Sequence, residues 1–160
     1  MKKLIIVLLA LTIILPIVAT AKDVDLAIRP NFGYRSVDGG ADQLVVGGSL
    51  DVIFTRLTNG YMATTPGFEI SFMDDLTIFS INIPITGRYP LGMVIPHMHM
   101  GMAIAHYSSS TFWLRDETDV EFLFGTGVDI RVAPNLYVGP QFETMSFDTF
   151  DIEIVANIPI

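Results

Sequence analysis

The stretch that decides the fold is residues 76–110, LTIFSINIPITGRYPLGMVIPHMHMGMAIAHYSSS. It divides about a short turn into two segments of strict alternation. In the first, Phe79, Ile81, Ile83, Ile85, Gly87 and Tyr89 share one face, with Ser80, Asn82, Pro84, Thr86 and Arg88 on the other. In the second, Met98, Met100, Met102 and Ile104 oppose His97, His99, Gly101, Ala103 and Ala105. A period of two means strand, because successive side chains point to opposite sides of a sheet. The non-aliphatic face holds small residues, a few polar groups and one arginine. Such a face suits the cramped inside of a narrow barrel better than a water-washed surface.

The same alternation runs outward from this hairpin in both directions. Before it, strands are expected over Asp23–Arg35, over Leu44–Thr55 and from Tyr61 through Met73. After it they are expected over Val120–Val132, around Val138–Glu143, and from Ile152 to the end. Asp38-Gly39-Gly40, Asn59-Gly60, Asp74-Asp75 and Pro134-Asn135 supply turn chemistry between them. Eight strands result, with no helical period after residue 21. The connections after strands 1 and 5 (Ser36–Gln43 and Ser108–Thr118) are long and polar, and those after strands 2, 4 and 6 are short. Bacterial membrane barrels pair brief turns on one side with longer loops on the other in this way. The expected fold class is all-β, an eight-stranded antiparallel up-and-down transmembrane β-barrel. Side chains can fill an eight-stranded interior, so a plugged barrel is expected in place of an open pore.

Residues 1–21 read as a secretory signal peptide: Lys2 and Lys3, an apolar run from Leu4 to Val18, then Ala19-Thr20-Ala21. Residues 22–160 then form one domain, the barrel. Without Lys2 and Lys3, seven basic residues stand against 17 acidic ones, a balance that excludes a nucleic-acid surface. Lys22 is the last lysine, whereas soluble secreted domains use lysine freely along their surfaces and sheet edges. The chain has no cysteine, so no disulfide staples it. Mean hydropathy is +0.52, yet no apolar run after residue 21 could span a membrane as a helix. A hydrophobic exported chain of this kind can cross a bilayer only by closing a sheet on itself. Pro30, Pro66, Pro84 and Pro140 fall inside expected strands, where each removes a ladder donor and marks either a bulge or a slip of the expected register.

At two places the chain resembles the outer-membrane β-barrel domain family, the small porin-like proteins of Gram-negative-type bacteria. Residues 83–109, IPITGRYPLGMVIPHMHMGMAIAHYSS, look like the family's strand, Arg-Tyr-Pro-Leu-Gly turn and Gly-rich strand. Residues 124–143, FGTGVDIRVAPNLYVGPQFE, look like its strand, x-Pro-Asn turn and strand. The resemblance implies an outer-membrane location and contact with membrane lipids and lipopolysaccharide. It also implies insertion by the barrel assembly machinery, and a monomer. The family is functionally mixed, so no catalytic residue follows from it. Its members end in an aromatic residue, where this chain has Pro159-Ile160.

Arg29, Asp51, Glu69, Arg88, Asp129, Arg131 and Glu143 share the expected inner face, where charge is tolerable only when paired. They are read as an interior ion-pair network that fixes register. His97 and His99 lie on one face at a spacing a metal could use, but too few further ligand types accompany them, and they are read as interior filler. Met98, Met100 and Met102 are read as lipid-facing packing. Trp113 falls in the longest loop as an interface anchor. No catalytic, cofactor-binding or metal-ligating residue is assigned. The preferred reading is a small outer-membrane barrel with a structural or surface-interaction role. One alternative is a lipid A-modifying hydrolase, since lipid A deacylases resemble His106-Tyr107-Ser108 in using a His-x-Ser pair. Here the asparagine that follows that serine is replaced by Ser109, and no outward acid is evident. The other alternative is a soluble lipocalin-like barrel holding an apolar ligand.

Overall fold

The computed structural model describes residues 25–37, 42–73, 76–109, 117–147 and 149–160. The signal-peptide segment, the tips of both long loops and Trp113 lie outside them. The strands are β1 (Leu26–Val37), β2 (Gln43–Leu57), β3 (Gly60–Thr64), β4 (Gly67–Met73) and β5 (Leu76–Arg88). They continue with β6 (Val94–Ser109), β7 (Glu117–Ala133), β8 (Leu136–Met145) and β9 (Thr149–Pro159). Each strand pairs antiparallel with the next except β3 with β4, and β1 pairs with both β2 and β9, which closes the sheet. Strands β3 and β4 both lie between β2 and β5, so they are two halves of one stave in a ring of eight.

Several boundaries differ from the expectation. The third expected strand is broken at Thr65-Pro66. Strand β2 runs on through Leu57, which confines its turn to Thr58-Asn59. Strand β7 begins at Glu117 and β6 continues to Ser109, so both staves reach further into the expected Ser108–Thr118 loop. Strands β1 and β2 likewise take Ser36, Val37 and Gln43 from the first loop.

The prolines show why a closed ring tolerates them. Between β5 and the β3/β4 stave the register holds at Thr64↔Ile85 and Gly67↔Asn82 and opens between them. Pro66 and Pro84 both sit in that one opening, so two missing donors share one gap. Thr65 N still donates to Pro84 O at 3.1 Å, and Thr64 Oγ1 donates to the same carbonyl at 3.0 Å. The β1–β9 ladder opens opposite Pro30, and the β7–β8 ladder opens opposite Pro140; each resumes in the same register. At the β5–β6 turn Leu91 and Val94 exchange backbone hydrogen bonds around Gly92, whose φ of 68° is one that L side chains rarely adopt.

Side-chain direction follows the expected parity on every stave. Ile28, Phe32, Ile85, Met98, Met100, Met102, Phe122, Ile152 and Ile154 are exposed on the outside. Arg29, Arg35, Asp51, Glu69, Arg88, Asp129, Glu143, Asp151 and Glu153 are buried inside. Three residues depart. Pro66, of outward parity, is buried at the break in the third stave. Val52 has outward parity yet is 1% exposed; it sits beside the irregularity at Ile53/Thr55. Arg131, expected in the interior network, is exposed near the end of β7. Its Nη2 donates to Pro134 O at 3.1 Å, because the stave extends past its ion-pairing level there.

Candidate functional site

The inverted polarity makes the interior the place to look for chemistry. Its charged groups form two clusters at different levels. Toward the end with the short turns, Asp129 on β7 is the hub. Arg29 Nη2 reaches its Oδ1 at 3.3 Å, and Arg88 Nη1 reaches its Oδ2 at 2.5 Å. Asn157 Nδ2 donates to the same Oδ2 at 3.2 Å. Arg88 also pairs with Asp51 at 3.0 Å, and its guanidinium carbon lies 6.0 Å from the Tyr61 ring centroid. Two arginines thus meet two aspartates. Tyr61 and Tyr137 line a cavity of about 130 Å³ beneath this cluster, which agrees with the inward parity of both tyrosines.

Toward the loop end the balance is different. Arg35 Nη2 pairs with Asp151 at 2.6 Å and Glu69 at 3.0 Å, and its Nε adds a 2.9 Å bond to Asp151. Asn31 Nδ2 reaches both Glu69 Oε1 at 3.2 Å and Glu153 Oε2 at 3.0 Å. His99 Nε2 and Glu143 Oε2 lie 2.8 Å apart. Among the described residues four carboxylates therefore gather about the Arg35 guanidinium, and Arg29 borders the same cavity as Glu69 and Glu143. Beyond it Ser71 donates to Gln43 at 2.6 Å, the Tyr107 hydroxyl donates to Glu121, and Ala103, Leu123 and Met145 form a small apolar patch.

Of the residues the sequence placed in the network, Arg29, Asp51, Glu69, Arg88, Asp129 and Glu143 are brought together and Arg131 is not. Arg35, Asp151 and Glu153 belong to it and were missed. Arg35 and Asp151 sit where the expected strands stop or start, although each continues the inward parity of its neighbours. Glu153 has inward parity inside an expected strand, so parity alone would have found it. The two histidines are interior, as expected, with ring centroids 6.3 Å apart. They stand opposite Gly127 and Gly125, and a Cβ on Gly125 would come within 2.2 Å of His99 Nε2. The Gly-x-Gly of β7 is thus the seat for the His-x-His of β6.

On the outer wall, His106 and Ser108 share the outward parity expected of them. His106 Nδ1 lies 2.9 Å from Thr118 Oγ1, so a threonine holds the ring atom that an orienting carboxylate would take in a triad.

No protein-family model and no curated protein matches the chain. Solved structures do. The attachment invasion locus protein Ail of Yersinia pestis aligns with a TM-score of 0.60 at 12% identity, covering 85% of this chain and 95% of that one. The N-terminal β-barrel domain of Pseudomonas aeruginosa OprF gives 0.62 at 10% identity, covering 86% and 100%. PagL, described as an outer-membrane enzyme, gives 0.57 at 14% identity, covering 84% and 99%. This chain has the fold of the small eight-stranded outer-membrane β-barrels.

Proposed function

We propose that residues 22–160 form an outer-membrane barrel whose interior is closed and whose role is structural or surface-interacting, after removal of residues 1–21 as an export signal. The observation that carries this reading is the reversal of polarity: exposed Phe, Ile and Met around the outside, and buried ion pairs inside. In water such a surface would be one continuous apolar patch far larger than soluble monomers expose. In a bilayer it is the expected solvent contact, and the closed ladder satisfies the backbone. The same reversal argues against a soluble barrel with its apolar stripes turned inward. Ion pairs spanning the bore between β1, β4, β5, β7 and β9 support a plugged interior over an aqueous channel. Transport and interior catalysis then give way to the loop end, the part left to meet partners outside the cell.

The test has two arms. Cell fractionation is expected to place the chain in the outer membrane, extracted only by detergent. Purified barrel in a planar bilayer is expected to show no sustained single-channel steps. A water-soluble fraction or steady conductance would overturn the corresponding half of the reading.

The enzymatic reading rests on His106 and Ser108 facing the lipid side. The contact of His106 with Thr118 favours a structural role for the ring. Mass spectrometry of host lipid A is therefore expected to be the same with the wild-type chain, His106→Ala and Ser108→Ala. An acyl chain lost only with both residues intact would make the chain a hydrolase.

A further inference from the structure

The loop-end cluster is unbalanced in a way the turn-end cluster is not, and its geometry suits a particular ligand. Glu69 on β4, Glu143 on β8 and Asp151 on β9 each offer an oxygen, and the three oxygens lie within 4.8 Å of one another. Oxygens about a calcium ion at its usual bond lengths are separated by no more than about 5 Å. Two further oxygens point to something beyond internal pairing. Among the described residues Glu143 Oε1 and Glu153 Oε1 are buried without a hydrogen-bond partner, in residues 4% and 1% exposed. Glu153 belongs to this cluster because the Asn31 amide that binds its other oxygen also binds Glu69. A cavity of about 40 Å³, bordered by Glu69, Glu143, Asn31 and Gln141 and also by Arg29 and His99, adjoins the group, room for an ion or a water or two.

We propose that this cluster is a binding site for one hard divalent cation of the calcium class, held between Glu69, Glu143 and Asp151 with Glu153 alongside. The ligand set is all carboxylate oxygen, which selects calcium or magnesium over softer metals. Magnesium keeps most of its water and demands near-octahedral geometry, whereas calcium accepts crowded, irregular carboxylate sets with little water. The enclosed position therefore favours calcium. With the ion in place, four carboxylates would face its two charges and that of Arg35, which removes most of the imbalance. The three ligands come from staves that are not all adjacent, so the ion would also clamp the loop end of the ring.

The experiment is calorimetric titration of calcium chloride into the full-length barrel, stripped with chelator and held in zwitterionic detergent. Urea unfolding with calcium or with chelator runs alongside. One saturable site per chain is expected, with a higher unfolding midpoint in calcium than in chelator and weaker binding of magnesium. Glu143→Gln, which keeps the side chain's shape, is expected to weaken calcium at least tenfold, as is Glu153→Gln. Asp119→Asn, an exposed loop-end change, is expected to leave the affinity as it was. Absence of a saturable site, or no shift in the wild-type midpoint, would overturn the proposal, and so would equal affinity in folded Glu143→Gln and Glu153→Gln. If neither variant folds, the wild-type stoichiometry and midpoint decide. A barrel that folds in detergent yet takes up no calcium would leave the membrane reading intact and remove this one.

Discussion

At the scale of single residues, the interior depends most on Asp129, which is fully buried and contacts Arg29, Arg88 and Asn157. Removing one partner of a buried pair strands the other charge, at a cost of about 3–5 kcal/mol. Asp129→Asn is therefore expected to lower the unfolding free energy read from urea curves by that order, and an unchanged unfolding curve would show that the arginines find other partners. Gly125 carries a different risk. A methyl there would meet His99 Nε2 at 2.2 Å and Phe142 O at 2.6 Å. The ring can tilt away but the carbonyl cannot, so Gly125→Ala is expected to cost roughly 1–3 kcal/mol, in the range for overpacking. Sequence alternation places each of these side chains inside, because parity needs only the residue's own neighbours. It cannot say that Asp129 meets Arg29, since that contact depends on a ring closed by strands 100 positions apart.

Among elements, β3 is the weak stave. It has only five residues, its pairing with β2 slips between Ile53 and Thr55, and its ladder to β5 ends at the Pro66–Pro84 opening. The long β5–β6 ladder, by contrast, runs without a break from Leu76↔Ser109 to Arg88↔His97. Local opening follows the loss of such bonds. Backbone amides of β3 are thus expected to exchange with deuterium at least tenfold faster than the central amides of β6, as read by hydrogen exchange in detergent. Equal protection would mean that the opening does not loosen the stave. The central hairpin was legible in full because its alternation is unbroken over both strands. The break in the third stave was signalled by Pro66 but not located, since a proline says a donor is missing and not which neighbour does without it.

For the molecule as a whole, the outward face must match hydrocarbon. Met100 stands on the outer wall of the longest uninterrupted hairpin, among Ile85, Phe124 and Met98. An arginine at the bilayer midplane of a barrel costs about 2–4 kcal/mol, falling toward zero at the interfaces. Met100→Arg is expected to reduce folding into lipid vesicles by that order, while Leu57→Arg, exposed at the end of β2, is expected to fold nearly as well as the parent. Equal loss at both positions would contradict the expected depth profile. The membrane class was legible from composition and parity together: a chain with one lysine after residue 21 and apolar stripes on every stave has few other solvents available. The two interior levels, one balanced in charge and one acidic, were not legible, because no local pattern records which height in a tilted barrel a residue occupies.

The order in which the interior charges are synthesised has its own consequence. Both arginines of β1, Arg29 and Arg35, emerge first, while Asp129 on β7 and Asp151 on β9 emerge late and only Glu69 on β4 comes sooner. A nascent sheet laid into lipid from its first strand would hold Arg29 without Asp129, and Arg35 with Glu69 alone, until the later staves arrive. Such a half-built sheet is strongly disfavoured in hydrocarbon. Insertion should therefore wait for the whole chain, so that the barrel enters the bilayer in one step as its last strand meets its first.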